Sequence, residues 1–592
     1  MIKTTILEPG QTDVIHIKKY SPEEIVVVDG ASWKCPVYVR RLPPCRDACP
    51  SSEDIRGYLT QVAQTDLYGQ PLDESLDEAW YILTDKNPMP ATHGRICPHP
   101  CEEGCNRQHK ADGSVAINNF ERFIGDHGLK RGLKLKKLTD EKKDKPIAVI
   151  GSGPSGLSCA YQMARRGYQV TIFETFEKPG GMLRYGIPEY RLPEDILDGE
   201  IQNILDLGIE LKCNIRVGKD IDFEKIQKDY AAVYVAIGAH KGVTLGVAGE
   251  DSANVFTAAS YLNRIKTGAK VEIGKKVLVI GGGDSAVDAA RVSLRLAAGE
   301  AKVAIDSARV TKRLDESSEV TIVYRRTRDE MPAIKQDVDE AIHEGIKIEF
   351  LVAPKEFVIE GGRAVGLTCT RMELGEPDSS GRRRPVPIEG SEFTIDSDMI
   401  IVGIGQAPEL PGGLSAIADD RGWIKANENK ETKVAGVYAG GDALELGIST
   451  KSVGEGREAA QAIEAYLKGT IYKKGPEFMR PIKQTELRMD YYESAPRNKE
   501  ESLAPEERIH GFDEVNKTIT QDQAVAEAKR CMSCGLCFAC DQCRVFCPRE
   551  AISRSLTRPK GKTMFTDYTK CNGCHVCYQA CPSGYIQMGM GL

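Results

Sequence analysis

No stretch of this 592-residue chain is apolar for long enough to span a bilayer as a helix. Its first residues, Met1-Ile2-Lys3-Thr4-Thr5, lack the apolar core of a secretory leader. Basic charge is not in excess either. The net charge of −7 and a pI of about 5.9 remove the electrostatic case for nucleic acid binding. No Ser/His/Asp arrangement for nucleophilic catalysis stands out, and the nine histidines are dispersed and read as structural. What is abundant is cysteine, nineteen residues of it, with glycine at 57. Without a secretion signal, metal-like cysteine spacing points to a reducing cytoplasm rather than a disulfide scaffold. The length calls for roughly three to five domains.

Ten of the cysteines fall between Cys531 and the end of the chain. Cys571-x2-Cys574-x2-Cys577-x3-Cys581-Pro582 and Cys537-x2-Cys540-x2-Cys543-x3-Cys547-Pro548 are two complete bacterial-ferredoxin runs. In such pairs the fourth cysteine of each run ligates the other run's [4Fe–4S] cluster. The expected ligand sets are Cys537, Cys540, Cys543 and Cys581 on one cluster, and Cys571, Cys574, Cys577 and Cys547 on the other. Zinc ribbons use C-x2-C pairs but do not call for three cysteines in tandem followed by C-P. Cys531 and Cys534, just upstream, read as spare thiols near a cluster. Cys159 and Cys369 stand apart and read as buried small residues.

Two glycine-rich turns follow apolar strands. Ile147-Ala148-Val149-Ile150 runs into Gly151, Ser152, Gly153, Pro154, Ser155 and Gly156, then a helix, then a strand ending in Glu174. Strand, G-x-G-x-x-G, helix and a later acid make up the dinucleotide fingerprint: the pyrophosphate sits on the helix N-terminus and the acid binds ribose. The second turn, Gly281, Gly282, Gly283, Asp284, Ser285 and Ala286, follows Lys276–Ile280, and its partner strand ends in Arg325 and Arg326. Arginines there can pair with a 2′-phosphate that an acid would repel, so this unit looks built for NADPH, with NADH as the alternative. Solvated loop charge is the bland reading of the pair. Two nested units suggest FAD on the first and a nicotinamide on the second. Val233–Ala239, with Gly238, and Gly436–Ala443 are further strand-to-turn pieces. They resemble the two-dinucleotide-binding-domain flavoproteins, a likeness that assigns Gly441 and Asp442 to the flavin.

Six more cysteines, Cys35, Cys45, Cys49, Cys97, Cys101 and Cys105, flank a helical stretch. Here the chain resembles the NADPH-dependent small subunit of glutamate synthase and its relatives, over about residues 35–470. The likeness rests on Cys45–Pro50, Cys97–Cys105, both fingerprints, Gly180-Gly181-Met182-Leu183-Arg184-Tyr185-Gly186-Ile187-Pro188, and Tyr324–Pro332. It implies that Gly181, Met182, Leu183 and Arg184 contact FAD. It also implies one cluster on Cys49, Cys97, Cys101 and Glu121, the carboxylate being a harder donor than thiolate. A second cluster would use Cys35, Cys45 and Cys105. The chain lacks one cysteine the family has there, which leaves a three-iron cluster, a non-cysteine ligand or no cluster.

The expected fold is α/β, in several parts. Residues 1–30 form an extension and 31–135 an α-helical Fe–S domain. A Rossmann-like FAD domain at 146–275 and 400–470 surrounds an NAD(P)H domain at 276–399. A linker, 471–525, reads as an exposed tether to a C-terminal α+β ferredoxin-like domain at 526–592. The resemblance implies an NAD(P)H oxidoreductase with FAD and three to four [4Fe–4S] clusters, in which flavin joins two-electron hydride chemistry to one-electron clusters. The ferredoxin tail resembles that of the iron–sulfur flavoprotein accompanying dissimilatory sulfite reductase, whose subunits become the first expected partner. The alternatives are a glutamate synthase large subunit, soluble ferredoxin (including bifurcation), and a non-enzymatic electron-transfer scaffold. A homodimer or hetero-oligomer is expected, with no membrane and no nucleic acid.

Overall fold

The computed structural model describes residues 34–307, 319–378, 381–473, 480–558 and 560–590. The expected extension 1–30 lies outside the described residues.

The run Ile147–Ile150 is apolar throughout because both faces of its strand are covered, as parallel sheets require. It centres a five-stranded parallel sheet ordered Val437–Ala439, Ala232–Val235, Lys143–Ile150, Tyr168–Phe173, Glu210–Lys212. Helix Pro154–Ala164 covers one face, starting on a proline whose missing N–H costs nothing at that position. Helix Ser449–Leu467 packs against it.

The second parallel sheet is ordered Lys347–Phe350, Glu319–Tyr324, Lys276–Ile280, Met399–Val402, Val255–Thr257. Its membership corrects the expected boundaries. Val255–Thr257 and Met399–Val402 belong to this domain, and the chain crosses between domains at the short pair Lys241–Gly242 with Gln406–Ala407. Val255–Thr257 is too short to announce its partner by pattern. A three-stranded antiparallel sheet, Val352–Glu360, Arg363–Pro377 and Arg383–Asp396, is appended to the same domain.

Helices Ile55–Ala63, Leu72–Thr84, Pro90–Ile96 and Ile117–Arg131 build the N-terminal domain around Tyr58, Trp80 and Phe120. Strand Lys34–Tyr38 does not belong to it. That strand pairs antiparallel with Ile586–Met590 and so completes the C-terminal module. The same module holds the hairpin Ile552–Arg554 with Met564–Thr566.

The expected tether is also corrected. Its described residues lie against the folded body, with Ile482, Leu487, Tyr492, Val515 and Ile519 buried. Glu514 bonds Arg95 at 2.6 Å and Arg122 at 2.8 Å, and Arg497 reaches Glu102 at 2.5 Å. The buried side chains are too sparse and irregular to show a period, so the segment reads as polar linker while acting as a strap. Among the described residues no helix is long and apolar enough to cross a membrane.

Candidate functional site: one cleft and a train of cysteine sites

A single cleft of about 720 Å³ runs along the C-terminal ends of the first sheet, a volume in the range of cofactor pockets. Gly151, Ser152, Gly153, Pro154 and Ser155 line it, as do Glu174, Gly181, Met182, Leu183, Gly238, Gly441 and Asp442. Gly151 has φ +101, and a Cβ at Gly156 would strike the Gly151 carbonyl, so helix and turn close only on glycine. At Gly153 an added Cβ would meet nothing, leaving that backbone open to the cleft. Glu174 accepts from the Ser152 amide at 2.9 Å and from the Ser152 hydroxyl, which ties the acid to the turn. Burial, with Glu455 nearby, pushes the Asp442 carboxyl up to about 6. Arg184 does not line the cleft. It is buried and paired with Asp198 and Glu194, which braces the Gly180–Gly181 turn. An open turn on a helix N-terminus, an acid at the next strand end and a cleft between them fit a dinucleotide.

The second fingerprint reaches the same cleft through Asp284 and Ser285. Gly281, Gly282, Gly283 and Ala286 form the turn behind them, where a Cβ at Gly282 would strike the Tyr324 ring. The two arginines part company. Arg325 is exposed at the strand end, whereas Arg326 is buried, 2.8 Å from Asp378 and 2.7 Å from the Arg383 carbonyl. Arg326 is thus occupied in holding the appended sheet, contrary to its expected place beside a 2′-phosphate.

Two small cavities mark the C-terminal runs. Cys537, Cys540, Cys543 and Cys581 line one, and Cys547, Cys571, Cys574 and Cys577 line the other. In the N-terminal domain, Glu121 lies close enough to Cys49, Cys97 and Cys101 to disfavour their ionisation, adding to burial. Its carboxylate accepts from Asn87 at 2.9 Å, and burial, with Glu53 and Glu200, raises it well above the carboxylate range. Glu53, which sequence reasoning missed, is a second buried acid here, pushed up to about 7 by burial. Cys97 lies 3.7 Å from Thr450, and its neighbours Ile96 and Pro98 line the dinucleotide cleft.

The grouping of Cys35 with Cys45 and Cys105 is corrected. Cys35 sits on the Lys34–Tyr38 strand beside Cys571. Cys45 instead faces Cys105, Cys531 and Cys534. Cys159 and Cys369 are fully buried.

The sequence profile of pyridine nucleotide-disulphide oxidoreductases matches residues 145–466, more than half of the chain. The chain belongs to this family. The profile of dihydropyrimidine dehydrogenase domain II, a 4Fe-4S cluster domain, matches residues 34–133, and a 4Fe-4S binding domain matches 564–586. A β subunit of an NADP(+)-dependent formate dehydrogenase from Moorella thermoacetica is 36% identical, over 83% of this chain and 70% of that protein. A β subunit of an NADPH-Fe(3+) oxidoreductase from Geobacter sulfurreducens is 35% identical, over 90% of this chain and 81% of that protein. The Escherichia coli glutamate synthase [NADPH] small chain is 30% identical, over 72% and 89%.

This pyridine nucleotide-disulphide oxidoreductase is therefore an NAD(P)H-dependent iron–sulfur flavoprotein that uses FAD and several [4Fe–4S] clusters. Cys531 and Cys534, which read as spare thiols near a cluster, make a C-x2-C that lies beside Cys45 and Cys105.

Proposed function

We propose that the chain exchanges electrons between NAD(P)H in the cleft and a protein partner at the ferredoxin module. The carrying observation is that the Cys97 turn forms part of the cleft wall, while two further cysteine groups line cavities of the ferredoxin module. Gly151–Gly156, Glu174, Gly181–Leu183, Gly238, Gly441 and Asp442 would hold FAD, with Arg184 bracing the turn. Asp284, Ser285 and Arg325 would hold the nicotinamide nucleotide. Cys49, Cys97, Cys101 and Glu121 would hold the cluster next to the cleft, and the two C-terminal sets their own. Bound FAD would supply a carrier that takes hydride and gives electrons up singly. The residues' own work is to position the two nucleotides face to face and to shield that contact from water.

The finer reading is that the partner is a sirohaem sulfite reductase, supported by the likeness of the tail. The second reading, a glutamate synthase large subunit, is favoured by the similarity to the E. coli small chain. Anaerobic isolation of the native complex separates them. A sirohaem spectrum, with sulfite-dependent NAD(P)H turnover, is expected. Co-isolation of a large flavoprotein with glutaminase activity would replace that reading with the second.

A further inference from the structure

We propose that Cys45, Cys105, Cys531 and Cys534 hold one more [4Fe–4S] cluster, a site assembled from the two ends of the chain.

The first support is backbone geometry. In Cys97-Pro98-His99 the His99 amide points at the Cys97 sulfur at 3.4 Å, with φ +46 at His99. In Cys537-Phe538-Ala539 the Ala539 amide does the same at 3.4 Å, with φ +59. Cys531-Met532-Ser533 repeats it, with Ser533 at 3.4 Å and φ +48. A non-glycine residue at positive φ is strained, and such strain gathers where function needs it. Cys531 therefore has the local form of the cysteines assigned to clusters.

The second support is the surroundings. Asn106 Nδ2 lies 3.7 Å from the Cys534 sulfur. Arg56 donates to the carbonyls of Cys534 at 2.7 Å and Arg41 at 2.9 Å, and Arg107 donates to the Arg530 carbonyl at 2.8 Å. Both arginines are at least 97% buried, yet each keeps its Nε without a partner. Buried N–H groups without partners are uncommon and call for an explanation. A cluster with four thiolates carries net negative charge, which Arg56 would offset, Arg107 being paired with Asp112 at 2.5 Å. Cys45, Cys105, Cys531 and Cys534 lie close to one another. Among the described residues no three donors converge as a single ion would demand; a cubane instead spreads its thiolates over separate corners.

Tyr492 lies between this site and the next, near Cys534 and Cys531 on one side and Cys581 and Cys540 on the other. The site would thus relay single electrons from the Cys97 cluster towards the ferredoxin module. This inference rests on reading the other three cysteine groups as cluster sites.

Iron and acid-labile sulfide would be counted on the full-length, anaerobically reconstituted protein, with EPR of the reduced state. The wild type should hold about sixteen irons per chain, and Cys531→Ser and Cys534→Ser about four fewer, with one EPR component lost. Cys35→Ser should change neither. Wild-type iron content in both variants, or the same loss in Cys35→Ser, overturns the assignment. Should the variants fail to fold, the wild type decides: about twelve irons overturns it. A wild type without sulfide would overturn the reading of all the cysteine groups instead.

Discussion

Arg325 and Arg326 are neighbours in sequence and opposites in space, because successive residues leaving a strand point to opposite faces. Arg325 is exposed at the strand end, while Arg326 is spent on Asp378. Charge-assisted hydrogen bonds of this kind contribute about 1.5–3 kcal/mol. Arg325→Ala should lower kcat/KM for NADPH by roughly ten- to a hundredfold and leave NADH nearly unchanged, as steady-state assays with a small acceptor would show. Equal loss with both nucleotides would remove Arg325 from specificity. A second residue-scale prediction concerns Glu344, whose side chain is fully buried between Arg291 and Arg295. Burial alone would raise its pKa, but the two arginines win and hold it low. Its contribution is thus present above the ordinary carboxylate pKa of about 4.3 and is lost as pH falls below it. Glu344→Ala strands the buried Arg295, while Arg291 keeps Glu340 at 2.8 Å, and should cost about 3–5 kcal/mol in thermal or denaturant unfolding at neutral pH. Neither fact was legible in the sequence, where Arg291, Arg295 and Glu344 look like ordinary helix-surface charge.

Among the elements, those legible in advance were the ones with strong local chemistry. Ile147–Ile150 and Lys276–Ile280 are apolar runs ending in glycine turns, and both became central parallel strands. The strand Lys34–Tyr38 was invisible because half of its ladder comes from the other end of the chain. Its burial does not alternate and its length is five residues. Val37, buried opposite Gln587, tests the pairing. Val37→Pro removes a backbone donor and should open the cavities around both C-terminal cysteine sets. The visible iron–sulfur absorption should then bleach faster in air than in wild type, while flavin absorption persists. An unchanged bleaching rate would show that this strand does not support the clusters.

At the scale of the whole molecule, charge is unevenly placed. The chain is net negative, yet Asp541–Tyr578 carries seven Lys or Arg against three acids. Within it, Val545, Phe546 and Tyr578 are about half exposed or more, next to Cys543, Cys547 and Cys577. An apolar patch with basic neighbours at the outermost cluster sites suits an acidic protein partner. Raising ionic strength from about 50 to 200 mM should therefore raise the KM for an acidic acceptor protein several-fold and leave a small neutral quinone unaffected. No salt dependence would place docking elsewhere.

The pairing of Lys34–Tyr38 with Ile586–Met590 also sets the order of biosynthesis. A ribosome adding about 5–20 residues per second releases the closing strand roughly half a minute to two minutes after the first has emerged. Throughout that interval Cys45 and Cys105 wait without Cys531 and Cys534. Delivery of a cluster to the site shared with Cys531 and Cys534 would follow emergence of the C-terminal module, whereas Cys49, Cys97, Cys101 and Glu121 are together long before it.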